Sequence, residues 1–220
     1  LFAPWVPDRR QNYHRKSHSD SMGNGSGMPV LELLFVFVLV YVLQFITAFA
    51  GLVGSLFVLS PPIAQNPWTI VTSIYAHDGT GHLFSNAVAL VLFGWPVARA
   101  TTRFRFHLFF IVSGAVAGIT QIVVSDAAGV LGASGAVFAL FGYLMAGNRL
   151  SSSLVQAVRV PTWVTLVAFV VIAAVVTLAT ASPGVALIAH FAGLLVGLLA
   201  GRVGLLDPGP RRQRTEPTGV

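Results

Sequence analysis

From residue 33 onward the sequence is built of apolar stretches long enough to cross a bilayer, and that leaves few ways for the chain to fold. A helix satisfies its own backbone hydrogen bonds and needs about 20 apolar residues to span the hydrocarbon core. Leu33–Leu59 exceeds that length. Gly81–Ala98, His107–Val124, Ala133–Gly147, Pro161–Ala181 and Val185–Gly201 follow. The sequence thus predicts an all-α, polytopic membrane protein with six transmembrane helices. Charge content agrees: 9% of the residues are charged, where a soluble domain carries about 25%. Packing these segments as the core of a soluble protein would require amphipathic helices to wrap them, and none remains.

The links between the runs orient the bundle. All 13 basic residues fall on one side of a six-span arrangement. Arg9, Arg10, Arg15 and Lys16 precede the first span, and Arg99, Arg103 and Arg105 join the second to the third. Arg149 and Arg159 join the fourth to the fifth, and Arg202, Arg211, Arg212 and Arg214 follow the sixth. The opposite loops, 60–80, 125–132 and 182–184, contain no Lys or Arg; their acidic residues are Asp78 and Asp126. The positive-inside rule then puts both termini in the cytoplasm of a cell-membrane protein. The formal charge of +6 flanks apolar runs instead of forming a stripe, which argues against nucleic acid as a partner. No cysteine is present, so there are no disulfides. Residues 1–29 are polar, lack the apolar centre of a signal peptide and are expected to be a disordered cytoplasmic tail. With Leu at position 1, the numbering is expected to start inside a longer chain or after processing. Residues 30–206 are expected to form one membrane domain, and the Pro/Arg-rich 207–220 a second tail.

Polar side chains inside spans need a partner or a task. Three sets stand out: His82 with Asn86 at the start of span two, Ser134 at the start of span four, and His190 five residues into span six. His82 and Asn86 are four apart and share a helical face. Spans two, four and six all run from outside to inside, so at 1.5 Å per residue these groups lie within about 10 Å of the outer boundary. Such a set supports acyl transfer. A serine hydroxyl becomes a useful nucleophile when a base takes its proton, and His190 is a base of suitable strength near neutral pH. No later span contains Asp or Glu, and Glu32 lies at the cytoplasmic edge of span one. A Ser–His dyad is what remains, with His82, Asn86 and the Ser134 backbone N–H as donors to an oxyanion. The plainer reading also stands: Ser, Asn and His hold membrane helices together by hydrogen bonds. Gly135, Ala139 and Gly142 on span four, and Gly193, Gly197 and Gly201 on span six, would let these two helices approach closely.

These segments resemble the rhomboid family of intramembrane serine proteases. Gly132-Ala133-Ser134-Gly135 is similar to its Gly-x-Ser-Gly motif, Ala189-His190 with Gly193 and Gly197 to its histidine helix, and His82 with Asn86 to its His-x-x-x-Asn helix. Trp68 to Ser73, then Ala76-His77, resemble the approach to that helix. The likeness covers roughly residues 65–201. It implies a six-helix rhomboid-like bundle, with Ser134 as nucleophile, His190 as general base and acid, and His82 and Asn86 holding the oxyanion. Phe138, four residues past Ser134, stands where an aromatic stacks on the histidine. The implied substrates are transmembrane proteins in the surrounding lipid, cut near the outer side of the membrane, and no metal or organic cofactor is implied. Thr69 replaces a frequent Arg of the family, and Pro96-Val97-Ala98 a frequent Glu. The competing readings are a catalytically silent relative that binds or chaperones membrane proteins, and a transporter. The latter would want charge at mid-membrane, which the later spans lack.

The segregation of basic residues generates a topology prediction. Single cysteines at positions 78, 126 and 183 will react with an impermeant thiol reagent from outside sealed cells, and one at 153 will not. Labelling at 153 would overturn the six-span arrangement.

Overall fold

The computed structural model describes residues 27–146 and 186–207. Numbered within those residues, the helices are α1 (Met28–Ala48), α2 (Val53–Phe57), α3 (Thr69–Tyr75), α4 (Thr80–Ala100), α5 (Arg103–Val124), α6 (Ser134–Met145) and α7 (Leu187–Arg202). A single 3-10 turn covers Ile63–Gln65. Three helices, α1, α4 and α5, are long and apolar enough to span a bilayer, with 21, 21 and 22 residues, or about 31–33 Å at 1.5 Å per residue. Large apolar side chains such as Phe35, Phe45, Phe84 and Phe104 face outward from them. This is an all-α, multi-pass integral membrane protein. The expected fifth span, Pro161–Ala181, lies outside the described residues, as do Arg149, Arg159 and the tails except for residues 27–29 and 207.

The first span differs from expectation. In place of one run over Leu33–Leu59, α1 starts at Met28, with Pro29 pre-set in its first turn, and ends at Ala48. Gly51, at φ 69°, turns the chain through a backbone conformation that glycine adopts without a Cβ clash. The apolar sequence continues past the turn because its side chains enter the core, as Phe57 and Leu59 do. Leu59 exchanges two backbone hydrogen bonds with Val130, at 3.0 and 2.8 Å, which ties this segment to the loop before α6. The expected loop 60–80 is also structured, since it contains α3. Trp68 Nε1 donates to the Ser55 carbonyl at 2.9 Å, and Thr72 Oγ1 to the Leu56 carbonyl at 2.5 Å, pinning α3 to α2.

α6 is the centre of the described bundle. Every residue from Ser134 to Leu144 is buried, and the helix packs against α4, α5 and α7. Its contact with α7 is made backbone to backbone. A methyl group added at Gly193 would land on the Gly135 carbonyl, one at Gly197 on the Ala139 carbonyl, and one at Gly142 on the Leu194 carbonyl. Small residues of this kind let membrane helices gain dispersion contact in a solvent that supplies no hydrophobic drive between them.

The basic end is held by polar ties. Glu32 Oε2 of α1 accepts from Arg103 Nε at 2.9 Å and lies 2.7 Å from His107 Nε2, both on α5. Past α7 the chain turns at Gly204, φ 63°. Tyr143 Oη donates to Asp207 Oδ1 and accepts from the Leu206 N–H at 3.1 Å. Arg105 Nη2 donates to the Leu205 carbonyl at 2.6 Å. α5, α6 and the end of α7 are thereby stapled together.

The glycine interface carries a stability prediction. Gly193→Leu or Gly197→Leu forces a side chain into a neighbouring backbone and will destabilise the protein by at least the roughly 1–3 kcal/mol of ordinary overpacking. Gly54→Ala, where the added methyl meets open space, will leave the thermal midpoint in detergent unchanged or raised. Equal midpoints for all three variants would contradict the close-approach account.

Candidate active site

The starts of α4, α6 and α7 converge, and the polar residues singled out in the sequence sit there. Ser134 is the first residue of α6. The chain reaches it through Gly132, whose φ of 124° lies in a region that disfavours side chains. The Gly132 N–H donates to the Ser73 carbonyl at 2.8 Å, fixing the turn to the last part of α3. His190 lies in the first turn of α7, its backbone N–H bonded to the Ala186 carbonyl at 3.0 Å.

Ser134 Oγ and His190 Nε2 are 2.8 Å apart, an ordinary hydrogen-bond length for this pair. Both residues are buried, at 6% and 5% exposure. The Phe138 ring, one turn further along α6, stacks on the imidazole with centroids 4.6 Å apart and planes 19° apart. Among the described residues His190 Nδ1 has no hydrogen-bond partner. The ring is therefore oriented by Ser134, the stack and its own helix, with no carboxylate behind it in that set.

His82 packs its ring on Gly132: a Cβ there would meet His82 Cε1 at 2.7 Å and Nε2 at 2.8 Å. The Asp78 N–H donates to His82 Nδ1 at 3.3 Å. A neutral imidazole that accepts at Nδ1 carries its proton on Nε2, so the donor edge of His82 faces the turn leading into Ser134. Asn86 is buried at 1% exposure, and its Nδ2 donates to the His82 carbonyl one turn back at 3.0 Å. That uses one of the two amide hydrogens.

Other residues support this set. His77 touches His82 edge-on with centroids 5.2 Å apart. Its Nδ1 lies 3.1 Å from the Tyr75 carbonyl, and its backbone N–H donates to Gln44 Oε1 of α1 at 2.9 Å. Burial, and then the neighbouring His82, push the His77 pKa below the usual histidine value, so the ring is neutral at physiological pH. Gln121 of α5 accepts the Ala189 N–H at 3.0 Å, beside His190. Gln44 and Gln121 were legible by the criterion that picked out the serine and the histidines, since each is a polar residue within an apolar run.

The Rhomboid domain family model matches residues 64–206. The chain belongs to the rhomboid family. Among its relatives, RHOMBOID-like protein 1 of Arabidopsis thaliana is 29% identical over 154 residues, 69% of this chain and 39% of that protein. A candidate rhomboid protease of Bacillus subtilis (strain 168), YdcA, is 30% identical over 133 residues, 60% of this chain and 64% of that protein. Rhomboid-related protein 3 of Homo sapiens is 37% identical over 84 residues, 38% of this chain and 20% of that protein. This rhomboid chain thus spans less than two thirds of the length of the first two relatives.

The contact between Gly132 and His82 makes a prediction about the site. Gly132→Ala will lower the thermal midpoint for two reasons, the positive φ and the collision with the His82 ring. Adding His82→Ala will restore the collision share alone, so the pair will be non-additive in a double-mutant cycle. Strict additivity would mean that the ring does not press on the turn.

Proposed function

We propose that this rhomboid is an intramembrane serine endopeptidase. In this reading residues 30–206 form the six-helix protease domain, and the tails at 1–29 and 207–220 both lie in the cytoplasm. The enzyme cuts transmembrane protein substrates, presented from the surrounding lipid, near the outer side of the membrane. The observation that carries the reading is the buried 2.8 Å hydrogen bond between Ser134 Oγ and His190 Nε2. Family membership over residues 64–206 supports it.

The chemistry follows from the roles of these groups. His190 Nε2 takes the Ser134 hydroxyl proton as Oγ attacks the scissile carbonyl carbon. The carbonyl oxygen becomes an oxyanion, which the Ser134 N–H, the Nε2–H of His82 and the free amide hydrogen of Asn86 are suited to receive. The imidazolium returns its proton to the leaving amine, the C–N bond breaks, and Ser134 remains acylated. A water molecule entering from the outer side gives a proton to His190 and attacks the ester; the imidazolium then returns that proton to Oγ as the acyl C–O bond breaks, freeing the serine and the new carboxyl terminus. The Phe138 stack holds the imidazole plane through both halves of the cycle.

A fluorophosphonate probe, which needs an activated serine, will label wild-type protein in lipid and will not label Ser134→Ala. Asn86→Ala will lower kcat by about one to three orders of magnitude, the range of one lost oxyanion donor, and leave KM near its wild-type value. Labelling of Ser134→Ala at the wild-type rate would refute the assignment of the nucleophile. A loss confined to KM would assign Asn86 to binding.

A further inference from the structure

Two glutamines are buried in the outward halves of apolar helices, Gln44 at 7% exposure on α1 and Gln121 at 5% on α5. Each accepts a backbone N–H close to a functional histidine: Gln44 that of His77, whose neighbour Asp78 donates to His82, and Gln121 that of Ala189, next to His190. The second case has the more direct consequence. The first N–H groups of a helix have no partner within it, and the N-cap residue of α7, Ala186, makes no side-chain capping bond. Ala189 lies in that first turn and is buried at 4% exposure, where an unpartnered N–H is disfavoured. Gln121 supplies the missing acceptor from a different helix.

The Gln121 amide is itself held. Its Nε2 donates to Ser125 Oγ at 2.9 Å, and that hydroxyl donates to the Gln121 carbonyl at 2.6 Å. The Ala127 N–H donates to Ser125 Oγ at 3.4 Å. This closed set of bonds at the outer end of α5 fixes which way the amide oxygen points. The bond it makes to α7 is one residue from the catalytic imidazole, whose own Nδ1 has no partner among the described residues.

We propose that Gln121 is a positioning residue for His190. Clamped by Ser125, it holds the first turn of α7 in the register that puts Nε2 within hydrogen-bond reach of Ser134. The proposal rests on the protease reading above. It places the missing orienting interaction of the imidazole on the backbone of its helix, one residue away, instead of on the ring. Misplacement of a catalytic group by about 1 Å lowers rate by about a hundredfold, and that is the scale expected here.

The test uses full-length protein in lipid, a fluorophosphonate probe, a cleavable transmembrane reporter, and hydrogen exchange at the Ala189 amide. Gln121→Met preserves side-chain length and removes the acceptor. It will slow probe labelling and kcat by about ten- to a hundredfold, leave KM within about twofold, and speed exchange at Ala189. Gln121→Glu restores an acceptor oxygen and will recover a large part of kcat together with the protection of Ala189. Ser125→Ala, a small change near the loop, will give a severalfold loss in kcat and covers the case in which Gln121→Met does not fold. Wild-type kcat in folded Gln121→Met, or in Ser125→Ala where Gln121→Met does not fold, would overturn the proposal. So would a Glu variant as slow as the Met variant while Ala189 is protected. These failures leave wild-type labelling at Ser134 intact. A wild-type protein that is neither labelled nor active would instead overturn the protease reading and this inference with it.

Discussion

Two helices approach as closely as α6 and α7 do only where no side chain stands between their backbones. Gly193 faces the Gly135 carbonyl, Gly197 the Ala139 carbonyl, and Gly142 the Leu194 carbonyl. Ser134 and His190 sit at the end of this seam where both helices begin. Ser134 immediately precedes Gly135, and His190 lies three residues before Gly193. A bulkier seam would move α7 away from α6 and lengthen the 2.8 Å contact between Oγ and Nε2. The burial of α6 on every side has the same consequence, because the serine is carried on a helix enclosed by its neighbours.

Around that seam, polar groups are used to fix backbone and to set proton positions. The Asp78 N–H on Nδ1 of His82 leaves the donor nitrogen of that ring facing the Gly132 turn. Gln44 and Gln121 receive backbone N–H groups next to the histidine-bearing segments. At the opposite end Glu32 ties α1 to Arg103 and His107 of α5, and Tyr143 ties α6 to Asp207. Helices that gain little from association in lipid are thus joined at both ends by hydrogen bonds, with small-residue packing between.

The helices α4, α5, α6 and α7 were legible within a few residues, because each is an apolar run bounded by glycine or charge. The end of α1 was not. Hydropathy reports only that a segment avoids water, and Val53–Leu59 avoids it by folding back into the protein after Gly51. The short α3 was hidden for a related reason: it is held by Trp68 and Thr72 reaching carbonyls of α2, contacts with no local signature. At the site, residue type and depth picked out Ser134, His190, His82 and Asn86. They could not reveal that Asn86 spends one amide hydrogen on its own helix. Gln121 carried the right signal, a polar residue in an apolar run, but its partner is a backbone N–H 68 residues away. Side-chain-to-backbone bonds between helices leave no pairing pattern in a single sequence.

The claim on which the functional account depends is that Ser134 and His190 act as one unit. The most direct test is cleavage of a membrane-embedded reporter by purified protein in lipid vesicles, comparing wild type, Ser134→Ala, His190→Ala and the double variant. Residues that work as a unit are non-additive. The account predicts that each single variant falls to the same residual rate and that the double variant falls no further. Near wild-type turnover by folded His190→Ala, or a double variant slower than wild type by the product of the two single effects, would contradict it.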